Sequence, residues 1–544
     1  MLLLFLSVGI KMYIYLSVRM SFLINKDKTL NNATDLLSAA FFVSIAGFFP
    51  LYYGGSYNVV LPAKYTAFQI IALFFGGAFL ILSAVRYFFK GKNPLNFKKP
   101  DITLLFLLAF SFFLVISAVF SPYFAAKNSD GVSAVIFGSG RYDGLYVFAL
   151  YGVVFVISCL FLRFKQSHIL FLSVILLVMS LFGIVQLFGI NLLEAYPSGS
   201  YSGYYDQFIS TFGNIDFFSS AMCMFVPLTF TAYLCIDFNR AISAFLLFCS
   251  FAGGFCLVKT DIQSGIITLS IMALAVIPLS LRKRANVIKA VVFIMAIALL
   301  WWLCDFIKLS KLQNSTGIDF SFNPLLTAMA GAVCLICGAV LLIIKKFYLH
   351  PLRLSVLRKG IFIFYAFAAV LVLVYVRFFF KPTVYEGALF ELYSLLRGEI
   401  YDYSGSGRGG IWKYSFLLGL KRPLLGQGTG CYRMAMDEFS REAGYTYYTS
   451  KNALLDAAHN EFLQIFVTNG IFGLLSYLGF CLSLVLKSIK RISKNKMILP
   501  LLSAVAGYLI QSFFTFSIVE VTPIFWMFCG MLFYQIKHTE IDGL

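Results

Sequence analysis

From residue 36 to residue 536 the chain alternates between long apolar runs and shorter polar intervals, and fourteen of the runs are long enough to cross a bilayer. A helix needs about 20 predominantly apolar residues to span the hydrocarbon core. On that basis the pattern predicts membrane helices near 36–55, 65–86, 102–121, 144–162, 168–190, 216–236, 241–258, 265–281, 289–307, 322–344, 360–380, 468–486, 497–517 and 520–536. The stretch from Leu2 to Leu23 is also apolar but carries Lys11 and Arg19. It reads as an interfacial helix, a fifteenth span, or an extended start ahead of Met20, and it lacks the small-residue cleavage site of a signal peptide. One polar interval, 381–459, is far longer than the others. The expected organisation is therefore an N-terminal segment 1–35, a bundle of about eleven helices over 36–380, a large loop over 381–459 containing short helices, about three more membrane helices over 460–536, and a tail 537–544.

Composition agrees with the pattern. With 60% hydrophobic residues, 12% charged residues and a mean hydropathy of +0.86 over 544 residues, the chain reads as an all-α polytopic membrane protein and not as a soluble domain. Lysine and arginine gather in alternate intervals: Arg86, Lys90, Lys92, Lys98 and Lys99; Arg282, Lys283 and Arg284; Lys345, Lys346, Arg353, Arg358 and Lys359; Lys487, Lys490, Arg491, Lys494 and Lys496. Counted over fourteen spans, all fall on one side. Cytoplasmic loops are the basic ones, so both ends of the bundle are expected in the cytoplasm and the 381–459 loop outside. The net charge of +19 is then topology signal and attraction to anionic lipid headgroups. Nucleic-acid binding is the poorer reading, since no Walker, Rossmann or helix-turn-helix pattern is present. Ten of the eleven cysteines lie in or beside apolar runs, Cys431 alone falling in the large loop, and no Cys/His spacing suits zinc. No metal and no cofactor is expected.

The outward face holds few reactive groups. Of four histidines, His168, His350 and His538 lie in or beside predicted cytoplasmic segments, and His459 alone faces outward, where the large loop re-enters the membrane ahead of a helix beginning near Glu461. An imidazole takes a proton from a hydroxyl near neutral pH without carrying a permanent charge; a helix cap or an interfacial histidine is the plainer alternative. Two outward arginines stand among glycines: Arg141 in Gly138-Ser139-Gly140-Arg141-Tyr142-Asp143-Gly144, and Arg408 in Gly405-Ser406-Gly407-Arg408-Gly409-Gly410-Ile411-Trp412. A guanidinium matches phosphate oxygens in a bidentate way, and glycine lets a bulky anion approach the backbone. Each arginine alone reads as readily as a contact to lipid phosphate. Together with His459 they form a phosphate-and-base constellation.

These residues resemble the O-antigen ligase and polysaccharide polymerase superfamily. The resemblance lies in His459-Asn460-Glu461-Phe462-Leu463-Gln464 followed by Asn469-Gly470-Ile471-Phe472-Gly473-Leu474-Leu475, in Arg408 with Trp412 and Pro423-Leu424-Leu425-Gly426-Gln427-Gly428-Thr429-Gly430, and in Arg141 with Gly144. Thr211-Phe212-Gly213-Asn214-Ile215-Asp216 is similar to a Gly-Asn-Pro-Asn stretch of the family, with Ile215 and Asp216 in place of the last two residues. A Ser-Arg pair common in the family is absent where this chain has Asp261-Ile262-Gln263-Ser264-Gly265.

The resemblance implies a metal-independent, inverting glycosyl transfer of the GT-C type. The donor would be an undecaprenyl-pyrophosphate-linked glycan and the acceptor a glycan, a lipid or a protein, in the cytoplasmic membrane of a bacterium and in contact with its lipids. It assigns Arg141 and Arg408 to the pyrophosphate and His459 to general base, with Asn460, Gln464, Trp412 and Asn214 in support. Tyr401, Tyr403, Trp412, Tyr445, Tyr447 and Tyr448 offer sugar-stacking faces or an interfacial belt. Fourteen spans, where about twelve are usual, lean toward polymerase over ligase. A membrane transporter is the alternative class. Against it stands the scarcity of ionisable residues in the middle spans, where transporters place them; Lys289 and Asp305 lie near span ends.

Overall fold

The computed structural model describes residues 26–56, 59–90, 101–187, 190, 192, 194, 209–312, 315–346, 351–382, 388–399, 405, 407–442 and 455–541. The apolar stretch from Leu2 to Leu23 lies outside the described residues, as do Tyr401, Tyr403, Tyr445, Tyr447, Tyr448 and His350.

A helix overlies each of the fourteen apolar runs. In chain order these are α1 (Lys26–Val43), which continues through a π turn at Ser44–Phe48 and on to Leu51, α2 (Val60–Lys90), α3 (Ile102–Val119), α4 (Leu145–Phe161), α5 (Gln166–Leu187), α6 (Ile215–Cys235), α7 (Arg240–Lys259), α8 (Gln263–Ser280) and α9 (Arg284–Phe306). After a short hairpin come α10 (Pro324–Lys346) and α11 (Pro351–Phe378). The large loop carries Ala388–Arg397, α12 (Arg408–Lys421) and α13 (Tyr432–Glu442), and the chain closes with α14 (Glu461–Arg491), α15 (Ile498–Gln511) and α16 (Thr522–Ile541). Among the described residues eleven helical spans are long and apolar enough to cross a membrane, with α4 and α15 as shorter apolar helices. The protein is an all-α polytopic membrane protein.

Two local features depart from the sequence expectation. The interval after α9 forms an antiparallel hairpin, β1 (Ile307–Leu312) with β2 (Ser315–Phe320), in which Ile307 faces Phe320 and Leu312 faces Ser315. Its alternation of polar and apolar residues has the two-residue period of a strand, which a search for apolar runs passes over. The second departure is the break at Gly470 (φ 67°, ψ −172°) in the helix that begins, as expected, at Glu461, ahead of the apolar run at 468–486. Gln464 is thus helical.

Helix starts follow capping chemistry. Asp101, Asn214, Asn239 and Asn460 each accept a hydrogen bond from a backbone N–H of the first turn of α3, α6, α7 and α14 respectively. The core is organised around α6, apolar on all sides and packed against α15, α7 and α8. Pro227 within α6 cannot donate to the carbonyl of Cys223. Against that freed carbonyl lies Gly507 of α15, where a Cβ would stand 1.9 Å from the oxygen. Helix α14 packs on α3, and α16 on α4. By contrast α10 and α11 leave most of their apolar surface uncovered, as a lipid-facing helix does.

The basic segments meet at one end of the bundle. Asp101 binds Lys537 at 2.7 Å and Lys487 beside it, joining α3, α14 and α16. Asp237 binds Lys283 and Lys496, and Arg282 donates to the carbonyl of Ile492 at 3.0 Å. Since α14 runs from Glu461 to Lys487 and beyond, His459 stands at the opposite end.

Candidate functional site

Five segments distant in sequence converge at that opposite end. His459 precedes the Asn460 cap of α14 and adopts a left-handed backbone (φ 47°), uncommon for a residue with a side chain. Several contacts hold this turn. Asn460 Oδ1 accepts from Leu463 N at 3.0 Å, Gln464 Oε1 accepts from Ala458 N at 2.7 Å, and Trp412 Nε1 donates to the carbonyl of His459 at 3.3 Å. Of the residues expected to support His459, Trp412 binds its backbone, while Asn460 and Gln464 hold the chain on either side of it.

The His459 ring meets Phe516 edge to face at 5.3 Å, and the guanidinium of Arg141 lies over the same Phe516 ring at 5.7 Å. Arg141 Nε donates to Asp456 Oδ2 at 2.8 Å. Arg408, first residue of α12, reaches Asp216 at 3.5 Å and the carbonyl of Gly405 at 3.4 Å, both long contacts, while its Nε is buried with no acceptor. Asn214 caps α6 by accepting from Asp216 N at 2.8 Å, which orients the carboxylate facing Arg408. The structure thus brings together His459, Arg141, Arg408, Trp412, Asn460 and Gln464, with Asn214 one step removed.

Charge and burial set the state of the histidine. Burial lowers the His459 pKa below its ordinary value and the charge of Arg408 lowers it further; Asp216 and Asp456 oppose this, and Arg141 adds to the lowering. The imidazole is neutral at pH 7 and able to accept a proton. Nearby, burial pushes the Asp143 carboxyl up to about 7, with Asp456 reinforcing the shift and Arg141 and Gln464 opposing it.

The site rests on a rigid base. The backbone of the 423–430 turn bonds to α14 around its break: Gln427 N to Val467 O at 2.8 Å, Gly428 N to Thr468 O at 2.9 Å, and Ile471 N to Pro423 O at 2.7 Å. Gly470 supplies the left-handed backbone, and a Cβ there would stand 2.1 Å from Leu424 O. Beneath His459 the buried Glu461 carboxylate accepts from the hydroxyls of Tyr477 (2.6 Å), Tyr508 (3.0 Å) and Ser512 (3.1 Å), tying the start of α14 to the segment that carries Phe516. A small cavity of about 30 Å³ lies here among Asp143, Glu461, Gln464, Asn469, Tyr477 and Ser517.

Sequence reasoning missed the carboxylates. Asp216 figured only as a departure from a motif, yet it is the partner of Arg408, and Asp456 lies three residues before His459 without having been singled out. Lys64, at the opposite-end start of α2, is fully buried, donates to the carbonyls of Phe49 and Pro50 at 3.1 Å each, and lies within the field of the buried Glu520. Its place three residues before His459 was the signal that would have found Asp456; Asp216, far from Arg408 in the chain, gave none.

Residues 321–478 match the family model described as O-antigen ligase, a stretch that holds Arg408, Trp412, His459, Asn460 and Gln464 and leaves Arg141 and Asn214 outside it. No curated protein matches the chain. The match supports the O-antigen ligase/polymerase-like superfamily and, with the apolar helices, a multi-pass membrane protein of surface polysaccharide biosynthesis acting on lipid-linked glycan.

Proposed function

Taking the O-antigen ligase domain as premise, we propose that this protein transfers or polymerises an undecaprenyl-pyrophosphate-linked oligosaccharide onto an acceptor hydroxyl at the outer face of a bacterial cytoplasmic membrane. The basic end of the bundle faces the cytoplasm and the large loop faces outward. The observation that carries the reading is the meeting of a neutral His459 with Arg141 and Arg408, two guanidiniums from different segments, at the end of the bundle opposite the basic clusters.

The acceptor oxygen attacks the anomeric carbon of the donor as the bond from that carbon to the pyrophosphate oxygen breaks, which inverts the configuration in a GT-C-type, metal-independent transfer. His459 takes the acceptor proton and later releases it to water. Arg141 and Arg408 receive the charge that develops on the leaving pyrophosphate. Both arginines are pre-aimed by Asp456 and Asp216, so little reorganisation accompanies the step. The lipid tail stays among the membrane helices.

The test is a glycan profile of membranes and surface polymer from a strain lacking the gene, complemented with wild type or with His459→Ala. Single repeat units accumulating on the lipid carrier identify a polymerase, and long chains accumulating there identify a ligase. An unchanged profile sinks the reading and returns the transporter.

A further inference from the structure

Arg433 is the second residue of α13 and is half-buried, yet among the described residues its guanidinium has no ion-pair or hydrogen-bond partner. The neighbouring charged groups are already engaged. Asp437, one turn along the helix, binds Arg441; Glu438 accepts from the Tyr123 hydroxyl; Glu442 binds Lys421 at 2.5 Å. Arg422, on the same side of the molecule, donates to the carbonyl of Phe120 at 2.8 Å. A guanidinium presents five donors and stays charged at any working pH, so one that is half-buried and left without an acceptor stands ready for an anion.

Its place in the fold says which one. The side chain lies on the bare backbone of Gly140, where a Cβ would stand 2.9 Å from Arg433 Cδ and 3.0 Å from Nη1. Gly140 immediately precedes Arg141, and this turn is fixed by Ser139 N donating to Gly430 O at 2.8 Å and Asn128 Nδ2 donating to Gly138 O at 3.0 Å. Arg433 therefore lies against the turn that carries Arg141, and among the described residues no carboxylate pairs with it.

We propose that Arg433 is a third anion-binding residue of the site and contacts a phosphate oxygen of the lipid-linked substrate. This rests on the function proposed above. It is a binding role: Arg433 has no contact with His459 and serves affinity.

The experiment uses the full chain in nanodiscs of phosphatidylcholine, with undecaprenyl pyrophosphate as the probe. Arg433→Gln is expected to weaken binding about tenfold, the loss of one charge-assisted hydrogen bond, Arg433→Lys to weaken it less, and Arg422→Gln to leave it unchanged, all with wild-type melting temperatures. Equal affinity in wild type and Arg433→Gln overturns the proposal. So does a variant that binds the probe normally but loses retention of phosphatidylglycerol, which would make Arg433 a lipid-headgroup anchor. Wild type that fails to bind the probe at all is the distinct outcome that overturns the proposed function as well.

Discussion

The basic end of the bundle and the candidate site use their cations in opposite ways. At the basic end Lys487 and Lys537 close on Asp101, Lys283 and Lys496 close on Asp237, and Arg282 and Arg284 close on backbone carbonyls. In the candidate site and beside it, among the described residues, Arg408 makes only long contacts and keeps a buried Nε without an acceptor, Arg433 makes none, and Arg141 is held by a single aspartate. A cation whose donors are satisfied braces helices. One whose donors are held short of satisfaction keeps its charge available to a ligand.

Variants in the two regions should therefore fail differently. The largest effect is expected for His459→Asn, which keeps a side chain tolerant of the left-handed backbone and removes the base. Turnover on a lipid-linked donor should fall about 10²- to 10⁴-fold with the melting temperature unchanged. A matching loss of stability would make His459 a brace and erase the contrast. Next comes Arg408→Lys, expected to lose about 10- to 100-fold in turnover because a point charge replaces a planar fork; full activity would remove Arg408 from the site. Asp101→Ala should do the reverse. Burial alone would raise the Asp101 pKa, but hydrogen bonds from Lys487, Lys537 and the Thr103 backbone pull it well below the carboxylate range. Breaking that network should cost about 2 kcal/mol of stability, the scale of hydrogen bonds to a charged group, while activity per folded molecule stays at the wild-type level in a detergent-stability assay.

The smallest effect concerns pH. Because the His459 pKa is lowered in the fold, the acid limb of turnover should lie below the ordinary imidazole value. A base works only when deprotonated, so activity persists as pH falls and is lost on passing through the lowered value. Arg408→Gln removes a positive neighbour, and the limb of its residual activity should move up by less than about one pH unit. A limb that stays put would separate Arg408 electrically from His459.

The membrane helices were legible in the sequence because a bilayer demands long uninterrupted apolar runs, and each run is overlain by a helix. His459, Arg141 and Arg408 stood out in the sequence because they are rare polar groups beside long apolar runs, the two arginines among glycines. What was not legible depends on distance in the chain. Asp216 meets Arg408 only once α6 and α12 are placed, and the burial of Lys64 among the carbonyls of Phe49 and Pro50 depends on the turn between α1 and α2. The start of α14 near Glu461 was legible, but what lets a carboxylate open an apolar helix was not. Glu461 is charged and would end an apolar run, but three hydroxyls from α14, α15 and the residue after α15 satisfy it, so the helix begins one residue after Asn460.

The turn at 138–144 has one more consequence. It is tied to the chain just before α13 through Ser139 and Gly430, and to the chain just before α14 through Arg141 and Asp456. The two roots of the excursion between them are thus pinned to a common anchor. Lengthening a closed loop costs only about 0.6 kcal/mol per doubling, so with both roots held, the separation of α13 from α14 in space does not depend on how many residues join them. The turn can therefore keep its place while the length of chain between its two anchors changes.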